Sequence, residues 1–303
     1  MGSEFDLERF GSAHRMVQQC DALPFVDIKP RLRVYASVTS TNQIAWELMD
    51  QDEIEPVAIA LQQTAGRGQW GRQWQSAPGG LYLSVGVQLK LPIDHAAQLT
   101  LCTAWGLAIA LRQIPAKLSG VTEGIPVQIK WLNDLVLQGR KLGGILTETR
   151  IQQEQITKAV IGVGLNWTNP VPETGINLQE FLAHHPIPLI ESLELLAAIA
   201  LQGIFSGIRQ MQVGIDPILR DYVNLLAHRD RPIEWDGKTW AIVGIAPTGE
   251  LRVREKFLES PDPSKIQPVS PTEILIQPGT ISLGYPLNGN AAEGTHSHLP
   301  ATT

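Results

Sequence analysis

The chain has 303 residues, 43% of them hydrophobic, which suffices for one large domain with its own core and a second, small one. Its 24 basic residues are outnumbered by 30 acidic residues, and the formal charge of −6 excludes a general attraction to nucleic acid or to an anionic membrane. No apolar run reaches the length of a membrane span, and two cysteines without metal-ligand spacing indicate neither a disulfide framework nor a zinc site, so a soluble protein of the reducing cytoplasm is expected.

Helices and strands alternate over the first three quarters of the chain. Residues 1–30 form an N-terminal segment whose first five residues resemble a cloning remnant and are left outside the fold expectation. Ser40 and Gln43 fit a capping box, which predicts a helix that begins there. β-rich runs predict strands at 57–63, 80–90, 125–131, 143–149 and 156–167. Apolar periodicity predicts helices at 95–114, 189–211 and 215–227. Asp94 is the expected N-cap of the helix at 95–114. Together these elements predict one domain over 31–228, a sheet with helices packed on one face.

A second, small β domain is predicted over 229–285. Its short alternating strands are PIEWDG, KTWAIVGIA, GELRVRE and EILIQPG. Asp236 and Gly237 form a hairpin signal between the first two. The proline-rich stretch 260–271 predicts an exposed loop, and the polar tail 286–303 is expected to be disordered.

A loop rich in glycine and arginine, residues 63–72, follows the first predicted strand. Glycines let backbone N–H groups approach phosphate oxygens, and Arg67 and Arg72 can supply bidentate charged bonds. The loop also fits the dinucleotide fingerprint G-x-G-x-x-G, but the proline and two glycines that follow cannot form the helix which that fingerprint requires. An anion-binding loop is therefore favoured over a plain surface turn.

Three further segments carry polar or small residues suited to a binding site. KWLND at 130–134 and RKLGG at 140–144 combine cations for carboxylate or phosphate with oxygen atoms that suit Mg²⁺, although a turn and a solvated hairpin tip explain them equally well in isolation. STNQ at 40–43 leaves polar groups free at a helix start. GVGLNW at 162–167 bares one strand face, either for a flat ligand or for tight sheet packing.

In their order and spacing these motifs resemble those of biotin–protein ligases, over roughly 33–285. The segment 279–283 looks like that family's final strand. The resemblance implies an α+β fold: a mixed sheet with helices, similar to class II aminoacyl-tRNA synthetases, followed by an SH3-like barrel. It also implies an ATP-dependent ligase that converts biotin to biotinyl-5′-AMP. Biotin would then pass to a lysine of the biotin carboxyl carrier protein of acetyl-CoA carboxylase.

The resemblance implies a role for individual side chains. Those around biotin would be Ser40, Thr41, Asn42, Gln63, Arg67, Gly68, Gln69, Lys141, Gly144, Gly162 and Gly164. Those that hold the phosphates of ATP would be Arg67, Arg72, Lys130 and Asn166. Catalysis would need no side-chain nucleophile and would rest on Lys141, Lys130 and Arg67, with Mg²⁺ near Asn133 and Asp134.

Two positions depart from the family's usual pattern. Gln69 stands where a second arginine is common, so fewer charges would retain the adenylate, and Leu132 replaces a frequent proline, which alters a turn rather than the chemistry. About 30 residues before the first strand are too few for the winged helix of bifunctional members, so no nucleic-acid partner is expected. A lipoate–protein ligase and a non-enzymatic biotin-responsive regulator remain alternatives. A homodimer through a free sheet edge also stays open.

Overall fold

The computed structural model describes residues 5–23, 26–185, 189–229, 231–256 and 272–285. The helices are α1 (Leu7–Gln18), α2 (Thr41–Asp50), α3 (Ala96–Ser119), α4 (Leu178–Leu182), α5 (Leu193–Val213) and α6 (Asp216–Leu225). The strands are β1 (Arg31–Tyr35), β2 (Pro56–Ala60), β3 (Leu81–Pro92), β4 (Gln128–Lys130), β5 (Asp134–Leu137), β6 (Arg140–Gln152), β7 (Gln155–Leu165), β8 (Ile233–Trp235), β9 (Lys238–Ile245), β10 (Leu251–Glu255) and β11 (Glu273–Ile276). Short 3-10 turns occupy Gln69–Gly71 and Ile93–His95.

Seven strands form a mixed sheet in the order β1-β2-β3-β7-β6-β5-β4. Strands β1 and β2 run parallel, and all other neighbours are antiparallel. The predicted α+β fold with a mixed sheet is therefore confirmed, and each of the five predicted β-rich runs overlaps one of its strands. Strands β1 and β5 add the remaining two.

The two faces of this sheet carry different helices. Leu83 and Val85 of β3 join Leu107 of α3 in the main hydrophobic core. Because successive side chains of a strand point to opposite faces, the neighbouring Ser84 points the other way, toward α2. On that side Met49 of α2 packs with Val160 of β7. The prediction that helices cover only one face is wrong, since α2 covers the second.

The predicted helices α3 and α5 pack with their backbones almost in contact. A Cβ atom at Gly106 would lie 2.1 Å from the carbonyl oxygen of Gly203, and one at Gly207 would lie 2.2 Å from that of Cys102. The helical stretch Ile93–Ser119 has the length and hydropathy of a membrane span, but 83% of its most apolar window is buried inside the protein. This helix is therefore a buried core helix of the fold.

The small sheet is antiparallel, in the order β11-β10-β9-β8. All four strands predicted there are present. Asp236 and Gly237 have φ of 52° and 68°, the left-handed pair that the hairpin signal predicts. The prediction of a final strand at 279–283 is wrong: a turn at Pro278 and Gly279 leads into an extended segment that is unpaired among the described strands.

Contacts join the small sheet to the large one. The indole N–H of Trp131 donates to the carbonyl oxygen of Gly249 at 3.0 Å. The amide of Gln98 in α3 donates to the carbonyl oxygen of Pro247 at 2.9 Å. The turn before β10 is therefore fixed to the end of β4 and to the start of α3.

Two predicted caps differ from the structure. Ser40 occupies the cap position of α2 without a side-chain cap bond, and Gln63 accepts the backbone N–H of Thr41 instead, at 2.8 Å. Asp94 lies inside a 3-10 turn and does not cap α3, which begins after His95.

The N-terminal segment contains α1, which the sequence analysis did not predict. Asp6 caps it through the backbone N–H groups of Glu8 and Arg9. Phe5, which was set aside with the apparent cloning remnant, is buried against Phe10. The predicted loop 260–271 and tail 286–303 lie outside the described residues.

Candidate active site

A cavity of about 200 Å³, open to solvent, lies on the α2 face of the large sheet. The predicted site residues that line it are Ser40, Thr41, Asn42, Gln63, Arg67, Gly68, Gln69, Arg72, Lys130, Asn133, Asp134, Lys141, Gly144, Gly162 and Gly164. Segments far apart in the chain thus meet at one place, and Asn166 alone of the predicted set is not part of the wall.

Glycines of β6 and β7 form the floor. A Cβ atom at Gly162 would lie 2.1 Å from Asn42 Oδ1, and one at Gly164 would lie 2.6 Å from Trp74 Nε1. Gly144 pairs directly with Gly164 and lies beside Lys141. The bare strand face therefore admits α2 and the glycine-rich loop, which places the cavity between them and the sheet.

Neutral polar groups line the cavity above Gly162. Ser84 Oγ lies 2.7 Å from both Thr41 Oγ1 and Asn42 Oδ1. Gln63 accepts the hydroxyl of Thr41 at 3.1 Å and donates to Ser76 at 2.8 Å. Ser84, the single serine in the apolar run LYLSVGV, was not predicted as a site residue. These linked hydroxyl and amide groups suit an uncharged ligand that both donates and accepts hydrogen bonds.

Charged groups line the cavity beside Gly144. Lys141 Nζ lies 2.7 Å from Asp134 Oδ1, and Lys130 Nζ lies 3.6 Å from Asp134 Oδ2. Burial lowers the pKa of Lys130, an effect that Asp134 opposes and the charges of Lys141 and Arg72 reinforce. Two lysines at one carboxylate, with Arg72 also in the wall, leave this part of the cavity positive, which favours an anion.

Lys141 reaches the cavity because β6 contains a bulge. Gly143 pairs with Leu135, whereas Lys141 pairs with Val136, so Leu142 is an extra residue. If β6 kept regular alternation through Leu142, Lys141 would share the face of Gly143, which is the α3 face. The backbone of Lys141 is fixed by bonds with Thr174 and Ile176 at 2.8 and 3.0 Å.

The glycine-rich loop is a closed hairpin. The N–H of Gly68 donates to the carbonyl of Arg72 at 2.7 Å, and that of Trp74 donates to Gly66 at 2.9 Å. Arg67 forms an ion pair of 2.9 Å with Glu148, whose other oxygen accepts the indole N–H of Trp46 at 2.9 Å. Glu148 belongs to none of the motifs described above and was not predicted as a site residue.

Trp74 covers Gly164, and the sequence analysis missed it too. Its ring centroid lies 5.1 Å from Lys141 Nζ, and its indole N–H is buried without a hydrogen-bond partner in the described structure. An unpartnered donor that lines a cavity can bond a ligand there at little desolvation cost.

Residues of the small domain close part of the cavity. Pro278, Gly279, Ile281, Ser282 and Leu283 all lie in its wall. Trp70, at the tip of the glycine-rich loop, packs on the bare backbone of Gly279, where a Cβ atom would lie 2.6 Å from the indole ring. The cavity therefore lies between the large sheet and the segment that follows β11.

Asn166 lies behind the wall. It is buried, and its amide donates to the carbonyl oxygen of Lys141 at 3.3 Å while its Oδ1 accepts from Asn169 at 3.0 Å. In this position it supports the backbone of Lys141, and direct contact with phosphate stays a prediction.

Asn133 and Asp134 do not by themselves form a resident metal site. Both oxygens of Asp134 face protein donors, Lys141 and Tyr285, and the amide of Asn133 donates to the carbonyl of Ile145 at 3.0 Å. Within the described ranges no three His, Cys, Asp or Glu side chains come together as metal ligands. A magnesium ion would need further oxygen ligands from a bound phosphate.

Residues 34–166 match the model of the biotin/lipoate A/B protein ligase family. The match covers less than half of the chain, and over that segment the chain is similar to the family. The matched segment contains α2, the glycine-rich loop and both lysines of the cavity, and it ends at Asn166.

Proteins of similar sequence include biotin ligases. A bifunctional ligase/repressor BirA from Bacillus subtilis (strain 168) is 35% identical over 133 residues, which are 43% of this chain and 38% of that protein. A biotin–(acetyl-CoA-carboxylase) ligase from Mycobacterium tuberculosis is 37% identical over 152 residues, 47% of this chain and 52% of that protein. The chain thus spans less than two thirds of these relatives' length.

The fold is similar to that of a biotin protein ligase from Aquifex aeolicus, solved with biotin and ATP. The match has a TM-score of 0.56 and 20% identity, and it covers 76% of this chain and 96% of the other. At this identity the similarity concerns the fold.

Proposed function

We propose that this protein is a biotin–protein ligase, which activates biotin with ATP and transfers it to a lysine of a biotin carboxyl carrier protein. The observation that supports this most directly is the layout of the cavity. Neutral hydrogen-bonding groups gather above Gly162 of β7, and cations gather beside Gly144 of β6, which pairs with Gly164, two residues along from Gly162. Biotin has a neutral ureido ring at one end and a carboxylate at the other.

The proposed reaction has two steps. An oxygen of the biotin carboxylate attacks the α-phosphorus of ATP, the bond to the β-phosphate bridge breaks, and pyrophosphate leaves. The lysine amine of the carrier then attacks the acyl carbon of biotinyl-5′-AMP, and AMP leaves. The protein positions the reactants, and Lys141, Lys130 and the loop arginines offset the negative charge. Mg²⁺ would arrive with ATP, as part of that substrate.

Biotin is preferred over lipoate because of the polar groups above Gly162. The dithiolane ring of lipoate would leave the hydroxyl and amide groups of Thr41, Asn42 and Gln63 without ligand partners. A site built for hydrogen bonds rejects such an analogue strongly, by about 10⁴-fold in well-built cases.

The test is biotin-dependent exchange between pyrophosphate and ATP. We expect exchange with biotin and at most a trace with lipoate, and we expect mass spectrometry to find a single modified lysine on an added carrier domain. Biotin binding without exchange would favour the non-enzymatic regulator, and exchange with lipoate alone would favour the other branch of the family.

The remaining assignments extend this proposal. We propose residues 31–228 as the catalytic domain and 229–285 as an SH3-like domain that completes the cavity. We propose a cytoplasmic location, because cysteines stay reduced there and both cysteines of this chain are free. ATP and a carrier protein are also available there.

A further inference from the structure

Tyr285 lies where the segment that leaves the small sheet meets the lysines of the cavity. Its hydroxyl donates to Asp134 Oδ2 at 2.5 Å, and its ring centroid is 4.3 Å from Lys130 Nζ. Tyr285 itself does not line the cavity, although Ile281, Ser282 and Leu283 before it do. It therefore contacts Asp134 and Lys130 from behind the cavity wall.

The contacts of Asp134 are divided between its two oxygens. Oδ1 pairs with Lys141 at 2.7 Å, and Oδ2 accepts the hydroxyl of Tyr285. Lys130 forms only a long ion pair with Oδ2, at 3.6 Å, and is also attracted by the aromatic ring. Lys130 thus keeps its N–H donors for the cavity.

We propose that Tyr285 is a positioning residue: by occupying Oδ2 of Asp134, it keeps Lys130 from closing onto that carboxylate and leaves Lys130 directed at the cavity. The role of Lys130 toward the phosphates of ATP rests on the proposed function. The arrangement of the three side chains does not.

The phenol is suited to this role at every physiological pH. Burial, followed by the negative charge of Asp134, raises the pKa of Tyr285 far above its ordinary value of about 10, so the hydroxyl remains a donor. The ring supplies a second, uncharged contact to Lys130 that does not compete with a phosphate for its protons.

Tyr285→Phe removes the hydroxyl and keeps the ring. We expect Lys130 to form a hydrogen bond with the freed Oδ2, which should raise the KM for ATP in pyrophosphate exchange about tenfold, as for the loss of one bond to a charged group. The Kd for biotin alone should stay unchanged, because its ureido ring would bind above Gly162 and its carboxylate beside Lys141, whereas Tyr285 contacts Asp134 and Lys130. Tyr35→Phe, in the edge strand β1, is the matched control and should change neither constant.

A second measurement is independent of catalysis. Trace acylation with acetic anhydride, followed by peptide mass spectrometry, gives the reaction rate of each lysine in the apo protein. A hydrogen bond to Asp134 raises the pKa of Lys130 and reduces its reactive neutral fraction, so its rate in Tyr285→Phe should fall at least about threefold. Lys90, exposed in β3, provides the internal reference.

The outcomes separate the two proposals. Equal Lys130 rates in wild type and Tyr285→Phe, with thermal unfolding unchanged, would overturn the positioning role. A slower Lys130 together with an unchanged KM for ATP would also overturn it. If the wild type shows no exchange but Lys130 still slows in the variant, the proposed function fails and the arrangement around Asp134 stands.

Discussion

Lys141 is the side chain that one extra residue in β6 turns into the cavity. It pairs with Asp134 at 2.7 Å and is only partly buried, so it serves charge rather than packing. We expect Lys141→Ala to fold normally and to lower the rate of pyrophosphate exchange by about 10² or more, the scale of losing one electrostatic contact in a transition state. The control is Lys90→Ala, which removes an exposed charge from β3. Near-normal exchange in folded Lys141→Ala would refute the role.

Gln69 is the position where the glycine-rich loop has an amide in place of the commoner arginine. It lies in the cavity wall, near the start of a 3-10 turn. A charged donor bonds phosphate about twice as strongly as a neutral one, so Gln69→Arg should slow the release of biotinyl-5′-AMP with little change in biotin affinity. Rapid dilution of enzyme preloaded with biotin and ATP measures that rate.

Gln75→Arg is the control for this prediction, since it adds the same charge at an exposed position outside the cavity wall. Equal release rates for wild type and Gln69→Arg would mean that Trp70 or Arg72 already retains the intermediate. The charge balance of the loop would then be unimportant.

At the scale of elements, the close contact between α3 and α5 depends on glycine. Gly106→Ala places a methyl group 2.1 Å from the carbonyl oxygen of Gly203, so one helix must move. We expect the free energy of unfolding to fall by about 2 kcal/mol, as for other overpacked cores. Urea denaturation measures this value. Gly11→Ala in α1, where the nearest atom is 3.7 Å away, should cost nothing.

Periodicity and composition located every strand of the small sheet and most of the large one, because these signals are local. The caps of α2 and α3 could not be placed in this way. Gln63 lies 22 residues from the N–H that it accepts, and the pairing depends on how the sheet brings β2 beside α2. A capping box was the best local solution for Ser40, and a tertiary contact replaced it.

The residues of the candidate site likewise fall into those that local motifs predict and those that depend on distant contacts. Motifs found the lysines, the glycines and the loop, since these residue types are chemically distinctive. Glu148, Ser84 and Tyr285 carry no motif, and each matters through a partner more than 40 residues away, namely Arg67, Asn42 and Asp134. The bulge that turns Lys141 is likewise visible only in the pairing of β5 with β6.

For the molecule as a whole, His228 makes stability depend on pH. It is buried near the junction of the two sheets, and burial, followed by the charge of Lys130, lowers its pKa to about 4. The folded state therefore binds a proton less readily than the unfolded chain, whose histidine pKa is about 6.5. The stabilisation is fully present above about pH 6.5 and is lost as the pH falls toward 4, by up to roughly 3 kcal/mol.

Urea midpoints at pH 7.5 and pH 5 test this expectation. The wild type should lose stability between them, and His228→Gln should lose clearly less. Parallel curves for the two proteins would show that other groups cause the acid sensitivity.

The cavity wall combines residues of the large sheet, such as Lys141, with residues of the segment that follows the small sheet, such as Pro278 and Leu283. A small molecule held there works against the separation of the two units, and at one hundred times its Kd it adds about 2.7 kcal/mol to the folded state by mass action. Protein molecules without this ligand unfold more often and are therefore cleaved by proteases more often. If the proposed function is right, the abundance of this protein in a cell would then rise and fall with the supply of its ligand, without a separate sensor.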